Sequence, residues 1–384
     1  MQALDGIRVI DMSTVLAGPE AARHLADFGA DVIKVEAPAG DRTRRMGWRR
    51  PGDDDSLMWK LASRNKRCVV LDLKTDEGRA ALLRLADEAH VLVENFRPGT
   101  LERLGLGPAI LHARNPRLVV VRVTGFGQDG PYRDRPGFAT LAEAMSGFAA
   151  VNGEPDGRPL PPPIALADEL TGLVAAFAAM VALRHAERTG EGQVVDANLL
   201  ESMFQVMGPM ISAYRHVGYL QPRLGAGIPY SVPRGTYRTR DGRWLALSAS
   251  AESVAERVLE LIGVAGDPRF ATFEGRVEHR DALEERVSAW IAARDADEVV
   301  AAFVEANAAI APVYTMADID EDPHVAARGM VVEVDGVAMP GPVARLSATP
   351  ARLTHAGRPL GADSADVLAH GFGSPDATRP EEDV

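Results

Sequence analysis

Two adjacent carboxylates, Asp168 and Glu169, carry the most specific chemical suggestion in this sequence. They follow Pro161-Pro162-Pro163 and precede Leu170-Thr-Gly-Leu-Val-Ala-Ala-Phe177, which places them in the first turn of a helix that is apolar on nearly every face. Such a helix is expected to be buried. The free N–H groups and positive dipole end of a first turn favour an ionised carboxylate. A carboxylate ionised at neutral pH is a competent nucleophile toward a thioester carbonyl. An aspartate in that place also serves as an ordinary helix cap, and helix chemistry alone does not separate the two readings. Successive helical residues point about 100° apart, so only one of Asp168 and Glu169 should face a pocket.

Other chemistries find weaker support. Gly125-Phe-Gly127-Gln-Asp-Gly130 is a formal dinucleotide fingerprint after a strand, but Pro131 and Pro136 follow at once. No helix opens there to meet a pyrophosphate, so a nicotinamide cofactor is not expected. The histidines include no pair at zinc-site spacing and none beside a cysteine, so no metal is expected either. Neither a serine nucleophile elbow nor a P-loop is present.

Composition narrows the class further. With 46% hydrophobic and 25% charged residues, 384 residues suffice for two domains, each with its own core. A formal net charge of -12 argues against a general nucleic-acid binder. A small anion needs only a local patch, and Arg42, Arg44, Arg45, Arg49, Arg50, Arg64, Lys66 and Arg67 offer one. The same run also reads as a solvated face. The single cysteine, Cys68, lies in a strand-like run and reads as a buried, inert thiol in a reducing, cytoplasmic setting. The N-terminus enters a strand without a basic-then-apolar signal pattern. The longest apolar stretch, Leu170 to Leu183, falls short of a membrane span and reads as a core helix. The tail from Ser374 to Val384 is the segment expected to be loosest.

The elements that must position this chemistry alternate. Strands are predicted at Ile7–Met12, Val32–Val35, Cys68–Leu73, Val91–Val93 and Leu118–Val123. Between them lie a helix opened by Gly18-Pro19 and another capped at Thr75. Continuous runs such as Val119-Val120-Val121 suit parallel strands buried on both faces. The class is therefore α/β, a Rossmann-like large domain. Long helices are predicted from about Ala167 to Ala186 and from about Asp196 to Arg215. A Gly/Pro-rich connection, Gly218 to Pro233, then marks a boundary. A hairpin with Asp241-Gly242 at its turn and three helical segments make a smaller α+β domain. A second hairpin, Val331–Val337, precedes the C-terminal segment. The predicted division is 1–215, 216–327, and 328–384 returning to the large domain.

The order of several motifs resembles one family. Leu4-Asp5-Gly6, Ala17-Gly18-Pro19, Gly29-Ala-Asp-Val-Ile-Lys-Val-Glu36, Asn65-Lys66-Arg67 and Leu71-Asp72-Leu73-Lys74 are followed by Glu94-Asn-Phe-Arg-Pro-Gly99, Thr124-Gly-Phe-Gly127, Ala167-Asp168 and Gly190-Glu-Gly-Gln193. Together they are similar to the class III CoA-transferases of the CaiB/BaiF type, which include 2-methylacyl-CoA racemases. The resemblance runs from residue 4 to about 360. It implies that Asp168 attacks an acyl-CoA, giving an acyl-aspartyl anhydride and then an aspartyl-CoA thioester, as CoA moves to a carboxylic acid. It further implies CoA contacts at Leu16 and Ala17, at Leu71, Asp72, Leu73 and Lys74, at Asn95, Phe96 and Arg97, at Arg103, and in the loop from Pro136 through Gly137, Phe138 and Ala139. Coenzyme A enters as a substrate thioester, and no separate cofactor is expected. An interlocked homodimer is implied, with each active site where one subunit's large domain meets the other's small domain.

Departures from the pattern matter. Leu16 stands where some relatives have a polar residue, and Ala37 lacks a basic side chain found in one branch. The racemases' histidine falls in the loop matched by Gly137-Phe138-Ala139, which holds no imidazole, so transfer is favoured over racemisation. The glycine-rich lid of oxalate-type members is not evident at Leu224–Tyr230. The rivals to transfer are a racemase with a substitute base and a CoA-binding protein whose Asp168 never acylates.

Overall fold

The computed structural model describes residues 1–373; the tail from Ser374 to Val384 lies outside the described residues. Six short, Val- and Ile-rich segments form one sheet: β1 (Arg8–Asp11), β2 (Asp31–Glu36), β3 (Lys66–Val70), β4 (Val91–Glu94), β5 (Val119–Thr124) and β6 (Val194–Asn198). Their order is β3-β2-β1-β4-β5-β6 and every pairing is parallel. Val9, for example, pairs with Val32 on one side and Val91 on the other. The chain reverses direction across the sheet between β1 and β4, where an open α/β sheet leaves a crevice beyond its strand ends.

Helices cover this sheet. The ones that position the site are α1 (Ala17–Asp27), α2 (Asp76–Glu88), α3 (Ala139–Met145), α4 (Leu166–Thr189) and α5 (Leu199–Gln205). Thr75 caps α2 by accepting the Gly78 N–H at 3.1 Å, as the sequence predicts. Ile10, Ile33 and Leu92 meet Leu82 and Leu85 of α2 in a core that water does not reach.

The predicted helix from Asp196 to Arg215 is not one element. Val194–Asn198 is the sixth strand, and Asn198 closes it by accepting the Glu201 N–H at 2.8 Å, which starts α5. Gly208-Pro209 then interrupts the chain, and a separate helix, α6, spans Met210–Val217.

The chain divides into two compact units. One comprises Met1–Ser146, Pro162–Gly208 and the described residues from Arg328 on; the other comprises Gly147–Pro161 and Pro209–Ala327. The division thus falls at Gly208/Pro209 rather than after residue 215. Gly147–Pro161, assigned from sequence to the large domain, belongs to the second unit, where Gly153 bridges to Gly225. That second unit holds the antiparallel strands β7 (Arg234–Arg238), β8 (Trp244–Ser248) and β9 (Ile310–Pro312). Helices over Glu252–Leu261, Arg280–Ala292 and Ala296–Glu305 enclose a core that includes Leu245, Phe270 and Phe303.

Helix α4 corrects one expectation. By length and composition it could cross a membrane, yet it packs on α1, β5 and β6 through Ala175, Ala179, Ala182 and Ala186, all buried. Its other face is exposed, with Leu173, Phe177, Met180 and Val181 in contact with water and Phe177 71% accessible. The helix is therefore half-covered rather than buried all round.

Candidate active site

Asp168 sits in the first turn of α4, whose N-cap residue is Ala165. Ala165 has no side-chain group to cap the helix, and a carboxylate from another element substitutes: Glu143 of α3 accepts the Ala167 N–H at 3.2 Å. From the other side α1 approaches closely. A Cβ on Gly172 would stand 2.7 Å from the Glu20 Cβ and 3.2 Å from the Ala17 carbonyl oxygen, so glycine is what lets the two helices meet. Glu20, only 1% exposed, receives hydrogen bonds from Arg23, which also bonds Asp27 at 3.1 Å.

The resulting electrostatics reverse the expectation from the helix end. Burial first, then the negative charges of Glu143 and Glu20, push the Asp168 carboxyl up from its ordinary 3.8 to about 6. Desolvation and like charge outweigh the dipole. Glu169 rises to about 7, mostly through burial and Glu20, with Arg23 opposing. Above pH 7 Asp168 remains largely ionised, and its raised basicity strengthens it as a nucleophile.

The turn between β1 and α1 is the second component. Val15 has φ of 67°, a left-handed conformation that a β-branched residue adopts only where its surroundings impose it. The imposing contacts are visible. Asn95 accepts the Thr14 N–H at 2.8 Å and donates to the Thr14 carbonyl at 2.6 Å. Asp41 accepts the Val15 N–H at 3.3 Å, and the buried Lys34 ammonium donates to the Ser13 carbonyl. Lys34 and Lys66 share the buried Asp11, whose carboxyl is lowered because the two lysines outweigh its desolvation.

Beyond this turn lies a cavity of about 280 Å³. It opens at the strand ends: Met12 and Thr14 after β1, Val35 in β2, Leu71, Asp72, Leu73 and Lys74 after β3, and Phe96 after β4. Of the residues implied to touch CoA, the cavity gathers Leu71 to Lys74 and Phe96. Lys74, Arg97 and Arg103 are exposed cations, and Arg103 bonds the Thr100 hydroxyl, which belongs to Thr100 on the cavity wall, at 2.8 Å. Leu16 and Ala17 are buried at the start of α1 rather than in the cavity. Asn95 uses both ends of its amide on Thr14, so its place is that of a brace for the turn.

The Gly137-Phe138-Ala139 loop also stands apart from the cavity, with Phe138 65% exposed. It explains the formal glycine motif. A Cβ on Gly125 would stand 2.5 Å from the Gly137 Cα, so two loops pass backbone against backbone just before α3.

Half of the basic run, Arg44, Arg64, Lys66 and Arg67, is committed inside the fold. Arg44 forks onto Glu36 and Asp55 and lies over the Trp59 ring at 3.6 Å. Arg64 pairs with Asp27, Lys66 with Asp11, Arg67 with Asp31, and Arg50 with Asp53. Neither an anion patch nor a solvated face describes the four buried cations, whereas Arg42, Arg45 and Arg49 are exposed as the solvated-face reading has them. Glu20, Asp41 and Glu143 were not picked out from sequence because the site groups they act on, Asp168, the Val15 N–H and the Ala167 N–H, lie far from them along the chain. The one local sign was a glutamate in the otherwise apolar Ala-Thr-Leu-Ala-Glu143-Ala-Met run.

Comparison with known proteins accords with this architecture. The family model described as CoA-transferase family III matches residues 4–364. Succinyl-CoA--D-citramalate CoA-transferase of Chloroflexus aurantiacus is 40% identical, covering 95% of this chain and 93% of that protein. Succinate--glutarate CoA-transferase of Agrobacterium fabrum is 38% identical, covering 95% of each. A CAIB/BAIF family protein from Brucella suis superposes with a TM-score of 0.86 at 33% identity, over 96% of this chain and 99% of that one.

Proposed function

The chain belongs to CoA-transferase family III, and from that premise we propose that it moves CoA from succinyl-CoA to a second dicarboxylic acid, with Asp168 as the covalent nucleophile. Its substrate classes are an acyl-CoA and a carboxylic acid, as for its relatives. The narrower choice rests on relatives that are named for succinate paired with citramalate or glutarate, all diacids.

One observation carries the mechanism: the β1–α1 turn joins the cavity to Asp168. Thr14 lines the cavity, and three residues on, Ala17 lies against Gly172, one helical turn from Asp168. A CoA held at the strand ends would bring its thioester across this turn. An Asp168 oxygen attacks the thioester carbonyl and the CoA thiolate leaves, forming an anhydride. The thiolate then attacks the aspartyl carbonyl, releasing the donor acid and forming aspartyl-CoA. The acceptor carboxylate attacks that thioester, the thiolate leaves again, and its return to the acceptor's carbonyl yields the new acyl-CoA and frees Asp168. Each bond broken is matched by one formed, so the reaction calls for neither metal nor redox cofactor.

A homodimer belongs to the same reading. It is supported by the exposed apolar face of α4, where Phe177 and Val181 meet water, and by α6, which buries none of its residues in this chain. Sedimentation of an active monomer at working concentration would remove it. A cytoplasmic setting is proposed on the buried Cys68, whose thiol burial pushes up to about 12 and so keeps protonated.

The substrate assignment is tested by incubating enzyme and succinyl-CoA with dicarboxylic and monocarboxylic acids, reading new acyl-CoA by mass spectrometry. Transfer to diacids in preference to monoacids of equal length is expected. Transfer to monoacids alone would overturn it.

A further inference from the structure

Glu143 has no place in the chemistry above, yet it is 2% exposed, carries a carboxylate, and among the described residues pairs with no cation. Among the described residues its carboxylate accepts one hydrogen bond, from the Ala167 N–H, 24 residues along the chain and adjacent to Asp168. A neutral amide or hydroxyl would cap that N–H as well, without bringing a second negative charge into a buried site. The charge therefore calls for an explanation.

We propose that Glu143 is a positioning residue for the transfer: its carboxylate fixes the first turn of α4 through the Ala167 N–H and presents a buried negative charge to the Asp168 carboxylate. The inference rests on Asp168 as nucleophile. A like charge destabilises ionised Asp168, and a less stable carboxylate is a stronger nucleophile and binds a proton more readily. The direction agrees with the raised Asp168 carboxyl, to which Glu143 contributes after burial.

The other charged groups on elements packed against α4 are accounted for. Helix α1 brings Glu20 and Arg23, which pair with each other, and α4 itself brings Glu169, which Glu20 repels and Arg23 attracts. Strand β5 brings Arg122, held by Glu94 and Glu102; β6 brings Asp196, which accepts the Gln128 N–H at 2.8 Å; and α5 brings the exposed Glu201. Of these, Glu143 and Glu20 push the Asp168 carboxyl up, and Glu169 and Asp168 repel each other as like charges. Glu143 is the one without a cation to offset it.

The test is the pH profile of kcat/KM for acyl-CoA, which reports the free enzyme. Glu143→Gln keeps an oxygen for the Ala167 N–H and removes the charge. The acid limb should move down by about half a pH unit, raising the rate at pH 5 relative to pH 8 by about 2.5-fold. Glu143→Ala should show the same relative gain with lower rates at both pH values, because the N–H loses its partner. If both variants melt like the wild type by circular dichroism and neither limb moves, the inference is overturned. Should the Gln variant not fold, the Ala variant's limb decides by the same criterion. Asp168→Asn, run alongside, separates the two levels. Turnover by that variant overturns the nucleophile reading and this inference with it; an inactive Asn variant with an unmoved Glu143→Gln limb overturns only the inference.

Discussion

Gly172 on α4 stands directly against Glu20 on α1: a Cβ there would lie 2.7 Å from the Glu20 Cβ. This close approach sets two things at once. It brings the start of α1 beside the first turn of α4, and it brings the Glu20 charge to bear on Asp168 and Glu169.

Gly172→Val should therefore separate the helices. Overpacking a buried contact of this kind costs about 1 to 3 kcal/mol, visible as a lower urea midpoint. Transfer activity should fall more steeply than stability, because the β1–α1 turn moves with α1. A Val variant with wild-type midpoint and wild-type kcat/KM would show that the approach is not needed.

The raised Asp168 carboxyl makes a prediction about stability, with a definite sign. A carboxyl whose folded-state value lies above its unfolded value binds protons more tightly when folded, so stability is lost as pH rises from about 4 through about 6. Asp168→Asn removes that loss. At full value the shift from 3.8 to about 6 corresponds to about 3 kcal/mol, and water reaching the half-buried group screens it to about 1 to 2 kcal/mol. The Asn variant should thus unfold at higher urea than wild type at pH 7.5, with the gap closing by pH 4. A gap of opposite sign at pH 7.5 would mean that the first-turn dipole dominates after all.

Lys74 lines the cavity, Arg97 and Arg103 are exposed cations next in sequence to lining residues, and Arg103 is tied to the cavity through Thr100. Replacing both Arg97 and Arg103 by Ala should weaken CoA binding by about tenfold or more, since a charge-assisted phosphate contact is a strong one. The loss should shrink as salt is raised. Isothermal titration with CoA at two ionic strengths checks this; unchanged affinity at low salt would exclude both arginines.

How much of this was legible in advance depends on the range of the interactions. The first five strands declared themselves through Val and Ile runs, and the Asp168 helix through its apolar length. Strand β6 did not, because Val194–Asn198 holds only two β-branched residues and abuts a Leu- and Met-rich stretch whose helical period absorbed it. Asn198 was the missed sign, being a capping residue that separates strand from helix. The sign of the Asp168 shift was misread for a related reason. The dipole of its own helix is local and visible in sequence, whereas Glu20 and Glu143 reach it only through the fold. Arg44, Arg64, Lys66 and Arg67 looked available for an anion for the same cause, since partners such as Glu36, Asp27, Asp11 and Asp31 face them only in the folded chain.

The central claim, that Asp168 carries the acyl group and then CoA, is tested most directly by trapping the adduct. Succinyl-CoA added without acceptor, followed by hydroxylamine and peptide mass spectrometry, should place a hydroxamate on Asp168 in the wild type. In Asp168→Asn, which is nearly isosteric and a far poorer nucleophile, CoA should still bind while the adduct disappears and transfer falls by orders of magnitude. A hydroxamate on Glu169 instead, or near-normal turnover by the Asn variant, would contradict the account.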